Sequence, residues 1–125
     1  MQRKWLAIAA ASGFTAVALG AFGSHGLKQS FTAYQLDIWH TAVQYQMFHT
    51  LALLALAAMG HTLCRRMVAA AGWVFTAGIV VFCGSLYLLA FTGIKWLGAI
   101  TPIGGLAFLA AWVLLLVAAF RKNRP

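Results

Sequence analysis

A chain of 125 residues in which 63% are hydrophobic and 8% charged is not an ordinary water-soluble domain, whose charged share is about a quarter. So much apolar surface cannot be hidden inside one small globule. The net charge of +8, with Asp37 the single acidic residue, would suit a nucleic-acid binder, but the cations stand between and beyond the apolar runs. That arrangement is a topology code, so nucleic acid is excluded as a partner and the lipid bilayer takes its place.

A helix needs about 20 mainly apolar residues to cross the hydrocarbon core. The chain offers four such runs, at approximately 5–22, 43–59, 67–91 and 97–120. Because backbone polar groups in lipid must bond internally, the runs are helices. The expected fold is all-α: a four-helix transmembrane bundle forming one integral membrane domain over residues 1–125. Arg3-Lys4, the first apolar core and Ala18-Leu19-Gly20 also fit a cleavable leader. The length of that core and the three runs that follow favour a retained helix.

Arg3, Lys4, Arg65, Arg66, Arg121, Lys122 and Arg124 fall on one side of this scheme, and only Lys28 and Lys95 on the other. Both termini are therefore expected in the cytoplasm. The five tryptophans lie mostly near span ends, as interfacial aromatics do. Cys64, in a short connector, and Cys83, within an apolar run, read as free thiols.

In the stretch GAFGSHGLK, Gly20, Gly23 and Gly26 recur at every third position, and with Ala9, Gly13 and Ala16 they form a small-residue groove along the first helix. Such grooves let membrane helices approach closely, so the glycines are packing residues. No Walker pattern supports a phosphate cradle. Gly26 is expected to end the helix in a left-handed cap. Ser30 to Ala42 reads as an interfacial helix leading into the second span, or as an extension of that span. Thr101-Pro102 fits either an N-cap before a helix starting at Pro102, with 94–100 a linker, or a kink in a longer helix.

The stretch DIWHTAVQYQMFHT, Asp37 to Thr50, carries polar groups on two helix faces into the second span. Each must find a partner, because an unsatisfied polar group in hydrocarbon costs several kcal/mol, roughly. His25, His40, Gln44, Gln46 and His49 are the candidates for a polar pocket in the outer half of the bundle, with Ser24, Asp37 and Tyr45 nearby and His25 near Gln46 or His49. His61, at the opposite end, stands apart. Three uses of the pocket are open: interhelical hydrogen bonding, a proton or small-solute path, and a haem or metal site. No ligand motif accompanies the histidines, so no metal ligand and no cofactor is assigned. No nucleophile has a positioned base, so no catalytic residue is assigned and an enzyme is not expected.

GAFGSHGLK, WHTAVQYQMFHTLALL and TPIGGLAFLAAW closely resemble the three blocks of the small inner-membrane family called domain of unknown function 423, which includes the bacterial YgdD type. The resemblance covers nearly the whole chain. It marks Gly20, Gly23, His25 and Gly26 in the first block; Trp39, Gln44, Tyr45, Gln46 and His49 in the second; and Pro102, Gly104 and Gly105 in the third. It implies a four-helix protein of the bacterial cytoplasmic membrane and no activity. The expected function is that of a non-enzymatic membrane protein, acting as a homo-oligomer or beside a partner membrane protein.

Overall fold

Thr32 and Gln35 start the central helix. The Gln35 backbone N–H donates to the Thr32 hydroxyl (3.2 Å), and the Thr32 N–H donates to Gln35 Oε1 (2.8 Å), a reciprocal cap that satisfies two otherwise orphaned donors. From this cap α2 runs unbroken from Ala33 to Met59. The segment before Val43 is therefore an extension of the spanning helix. The computed structural model describes residues 3–121. Its other helices are α1 (Arg3–His25), α3 (Arg65–Gly78), α4 (Gly84–Thr92) and α5 (Leu97–Phe120). A π-helical turn, Ile79–Cys83, joins α3 to α4 into one continuous rod, and a 3₁₀ turn, Gly60–Thr62, follows α2. Four helical rods are thus long and apolar enough to cross a membrane.

The rods pack as two antiparallel hairpins, α1 on α2 and α3–α4 on α5, with α2 also lying against α4 and the π turn. α2 is the most enclosed, with 44% of its apolar window buried against 17% for α1. Lipid gives helices no hydrophobic reason to associate, so close van der Waals contact must do the work. Here that contact is made by aromatic rings seated on glycines. A Cβ on Gly23 would lie 2.6 Å from the Trp39 indole nitrogen, one on Gly72 2.6 Å from the Trp5 ring, and one on Gly78 2.6 Å from the Phe108 ring. A Cβ on Gly104 would fall 2.7 Å from the backbone Cα of Phe82, in the π turn.

Several expectations need correction. Gly26 is not a left-handed cap: it is the Gly93 backbone, ending α4, that has positive φ (70°) among the described residues. Gly26 and Leu27 both donate to the Phe22 carbonyl (2.7 and 3.0 Å), and the Phe22 ring fills the place of the missing Cβ at Gly26. α5 begins at Leu97, not Pro102, because Leu97, Gly98 and Ala99 already bond back to Ile94, Lys95 and Trp96. Pro102 sits inside the helix. Thr101 is no N-cap; its hydroxyl shares a 2.6 Å hydrogen bond with Ser85 of α4. Of the tryptophans, Trp5 and Trp39 are packed inside the protein, 0% and 1% exposed.

The glycine seats give a sharp contrast within one dipeptide. Gly104→Ala must displace the Phe82 backbone and is expected to destabilise the bundle by about 1–3 kcal/mol. Gly105→Ala meets only the Phe82 ring at 3.8 Å and is expected to be near neutral. Unfolding midpoints of the two variants in detergent micelles measure the difference.

Candidate functional site

Register between α1 and α2 is fixed at two levels. The Trp39 indole lies on the bare backbone of Gly23 and donates to the Leu19 carbonyl (2.8 Å), which the missing side chain leaves reachable. Ser12 and Thr50 share a 2.6 Å hydroxyl–hydroxyl bond about seven residues further along α1. Thr50 therefore stands beside the middle of a 23-residue helix, which at 1.5 Å per residue about matches the hydrocarbon thickness.

Gln46 and His49 consequently lie level with the middle of α1. The reason is the early start of α2 at Ala33. Gln46 is buried and joins three helices: its Nε2 donates to the Ser12 carbonyl (3.0 Å) and to Thr15 Oγ1 (2.8 Å) of α1, while Oε1 accepts from the Tyr87 hydroxyl of α4 (2.7 Å). Thr50 Oγ1 also donates to the Gln46 carbonyl (2.6 Å). These bonds occupy both amide hydrogens and give the amide oxygen a donor.

His49 is also buried, but in a different setting. Nδ1 is 2.7 Å from the Tyr45 carbonyl, and the Trp112 indole donates to Nε2 (3.1 Å). A carbonyl only accepts, so Nδ1 carries the proton and Nε2 is the acceptor, the neutral tautomer. Phe108 stacks on the imidazole at 3.6 Å and 8°. Both nitrogens are used, so a metal or haem iron would have to displace the Trp112 indole or the Tyr45 carbonyl. Among the described residues no group of three metal-ligating side chains comes together.

The remaining candidates lie elsewhere. His25 is exposed at the end of α1, roughly 20 Å along the helix from the Ser12–Thr50 level. Its expected contact with Gln46 or His49 is not formed, because the Trp39–Gly23 seat sets it opposite the start of α2. His40 is exposed one turn from Gln44. Gly20 meets Val43 across the α1–α2 contact, and Gly23 holds Trp39. Ser12, Thr15, Thr50, Tyr87 and Trp112 escaped the sequence reading as partners. Ser12 and Thr15, three apart in an alanine-rich run, were the available signal.

Gln44 and Gln46 are two residues apart on a helix and point to opposite sides. Gln44 faces a cleft of about 1100 Å³ between α2 and α5, walled by Tyr45, Phe48, Phe82, Leu109 and Trp112 and floored by His49 and Phe108. Neither the Gln44 amide nor the Tyr45 hydroxyl has a hydrogen-bond partner among the described residues, and both residues are exposed. Gln44 stands six residues from Thr50, about 9 Å along α2.

Four apolar rods, tied by side-chain hydrogen bonds at mid-depth, make this a multi-pass helical membrane protein. The family described as "Protein of unknown function (DUF423)" matches residues 19–105, and the chain belongs to it. The match runs from the carbonyl that receives Trp39 to the glycine lining the cleft. UPF0382 membrane protein YwdK of Bacillus subtilis is 46% identical over 121 residues, 96% of this chain and 98% of its own. UPF0382 membrane protein SAB0533 of Staphylococcus aureus is 44% identical over 120 residues, covering 96% and 98%. UPF0382 inner membrane protein YgdD of Escherichia coli is 46% identical over 126 residues, covering 98% and 94%. No solved structure matches the chain.

The midplane network predicts coupling across helices. Gln46→Leu and Tyr87→Phe should each destabilise the bundle, and the double variant should lose about 1 kcal/mol less than their sum. Unfolding in micelles of the four proteins closes the cycle.

Proposed function

We propose that this chain is a non-enzymatic protein of the bacterial cytoplasmic membrane that acts by lateral self-association, with the α2–α5 cleft as the contact surface. The supporting observation is the contrast between the two glutamines. Gln46 is fully engaged within the bundle, whereas Gln44 and the Tyr45 hydroxyl face the cleft at hydrocarbon depth without partners. A polar group there costs several kcal/mol, roughly, unless bonded, and a neighbouring copy can supply both the bond and the apolar surface. The internally spent midplane groups weigh against a conducting path and against catalysis. The inner-membrane name of YgdD supports the location, and the basic connectors support cytoplasmic termini.

In a Cys64→Ser, Cys83→Ala background, Leu109→Cys and Leu51→Cys on the cleft walls should form disulfide-linked dimers in native membranes on oxidation. Val17→Cys, equally exposed on α1 (61% against 63% for Leu109), should not, and Gln44→Leu should weaken the dimers. Equal cross-linking at all three positions, or a monomer of unlinked wild type in bilayers, overturns self-association. Cross-linking to another protein in place of a second copy transfers the cleft to a partner.

Cys64 reports the orientation. The backbone N–H of Met67, ahead of Arg66's N–H and the charges of Arg121 and Arg66, holds its thiol below the ordinary value against a weaker opposing effect of burial. A lower value means more thiolate at neutral pH. A membrane-impermeant maleimide should label it rapidly at pH 7 in inverted vesicles and not in intact cells. The Arg66→Gln, Arg121→Gln variant should need higher pH for the same rate.

A further inference from the structure

The end of the bundle opposite Asp37 collects positive charge from three helices. Arg3 and Lys4 open α1, Arg65 and Arg66 open α3, and Arg121 follows the last residue of α5. The sequence's only acidic side chain is at the other end, in α2. These five cations therefore have no acidic side chain near them. α3 adds to the imbalance, since its first turn carries no acidic side chain and Cys64 at its N-cap makes no side-chain cap bond. The positive end of the helix dipole thus faces the same rim.

The charges are organised around one corner. Lys4 Nζ lies 5.1 Å from the Trp5 ring centre and 5.9 Å from that of Trp73, held by cation–π attraction. Trp5 is seated on Gly72 and meets Trp73 edge-on at 5.0 Å, which fixes the start of α1 to α3. Trp73 itself is 54% exposed. Seven residues back on α3, two turns along the same face, stands Arg66, with Ala69 and Ala70 between. The result is a shallow strip, about 10 Å long, with a guanidinium at one end, an ammonium on an indole at the other, and methyl groups for a floor. Trp5 Nε1, buried beside it, has no acceptor among the described residues.

We infer that this strip between α1 and α3 binds the phosphate headgroup of an anionic phospholipid. Charge complementarity selects the anion. The depth of the strip selects a lipid over a soluble phosphate: α1 is about as long as the hydrocarbon is thick, so its first turn meets the headgroup layer. Exposed Trp73 and the alanine floor meet the glycerol and upper acyl carbons. Arg66 supplies a forked donor suited to phosphate oxygens and Lys4 a point charge. The site is independent of the α2–α5 cleft and of the orientation of the chain.

The test uses the full chain in nanodiscs containing equal amounts of phosphatidylcholine and phosphatidylglycerol, with the lipids retained after gentle extraction counted by native mass spectrometry. Phosphatidylglycerol should be retained selectively. Lys4→Gln and Arg66→Gln should each reduce its retention about fivefold, while Lys4→Arg with Arg66→Lys should preserve most of it. Lys28→Gln with Lys95→Gln, at the other rim, should leave it unchanged. Far-ultraviolet circular dichroism of each purified variant establishes that the helices are intact, and Arg66→Ala, a good helix former expected to lose the same retention, keeps the test decisive should a glutamine variant not fold. Equal retention of the two lipids by wild type overturns the inference, as does an equal loss in the Lys28, Lys95 variant. Displacement of phosphatidylglycerol by inorganic phosphate at matched charge would assign the strip to a soluble anion and equally overturns the lipid.

Discussion

The bundle rests on the seating of aromatic rings on bare glycine backbone. In water an aromatic side chain packs wherever apolar surface is available, because exclusion from solvent drives it. In hydrocarbon that drive is absent between helices, and only closer and more numerous contacts favour protein over lipid. Gly23, Gly72, Gly78 and Gly104 each provide such a contact, and each receives a residue from a different part of the chain. The Gly23 seat does more than pack. By exposing the Leu19 carbonyl to the Trp39 indole, it sets the relative register of α1 and α2, and every polar contact deeper in the membrane inherits that register.

The consequences show in where polar groups meet. With Trp39 anchored, Ser12 reaches Thr50 and Thr15 reaches Gln46. The seats of Phe108 on Gly78 and of Phe82 against Gly104 hold α5 along α3–α4, which brings Trp112 to the free nitrogen of His49. The π turn lies at the Phe82–Gly104 crossing. Such turns are uncommon and often mark functional positions; here one borders the cleft through Phe82. Packing and hydrogen bonding are therefore one system, in which glycines place the rings and the placed helices satisfy the amide and imidazole.

The four spans and the close-packing role of Gly20 and Gly23 were legible in the sequence, because hydrocarbon thickness and backbone satisfaction leave few alternatives. The cap at Thr32 went unread, although a threonine followed three residues later by glutamine is its signal. Depth was harder. Counting from Val43 sets His49 about 9 Å along the helix, whereas α2 starts at Ala33, since hydropathy marks where apolar residues begin and not where a helix begins. Pairing was harder still. His25 shares a residue type with His49 but stands at the end of its helix, and only the Trp39–Gly23 contact shows that the two cannot meet. Trp112 and Tyr87, read as an interfacial anchor and as part of an apolar run, are the partners of His49 and Gln46. Such pairings depend on helix rotation and register together, which one sequence with weak amphipathic bias does not specify.

What distinguishes a finished surface from an unfinished one in this molecule is polar satisfaction, not hydrophobicity, because every lipid-facing side is apolar. Leu106, Leu109 and Val113 on α5 are as exposed as Phe14 and Val17 on α1, and exposure alone cannot rank them. Gln44 can. It is two residues from Gln46, in the same helix and within the same hydrocarbon, yet one carboxamide holds three partners and the other none. The bilayer core offers no hydrogen bond to the second, and its side chain is too short to reach the headgroups from about 9 Å beyond the level of the Ser12–Thr50 bond. The unbonded carboxamide therefore sits on the α2–α5 side, which is why that side is the proposed contact surface.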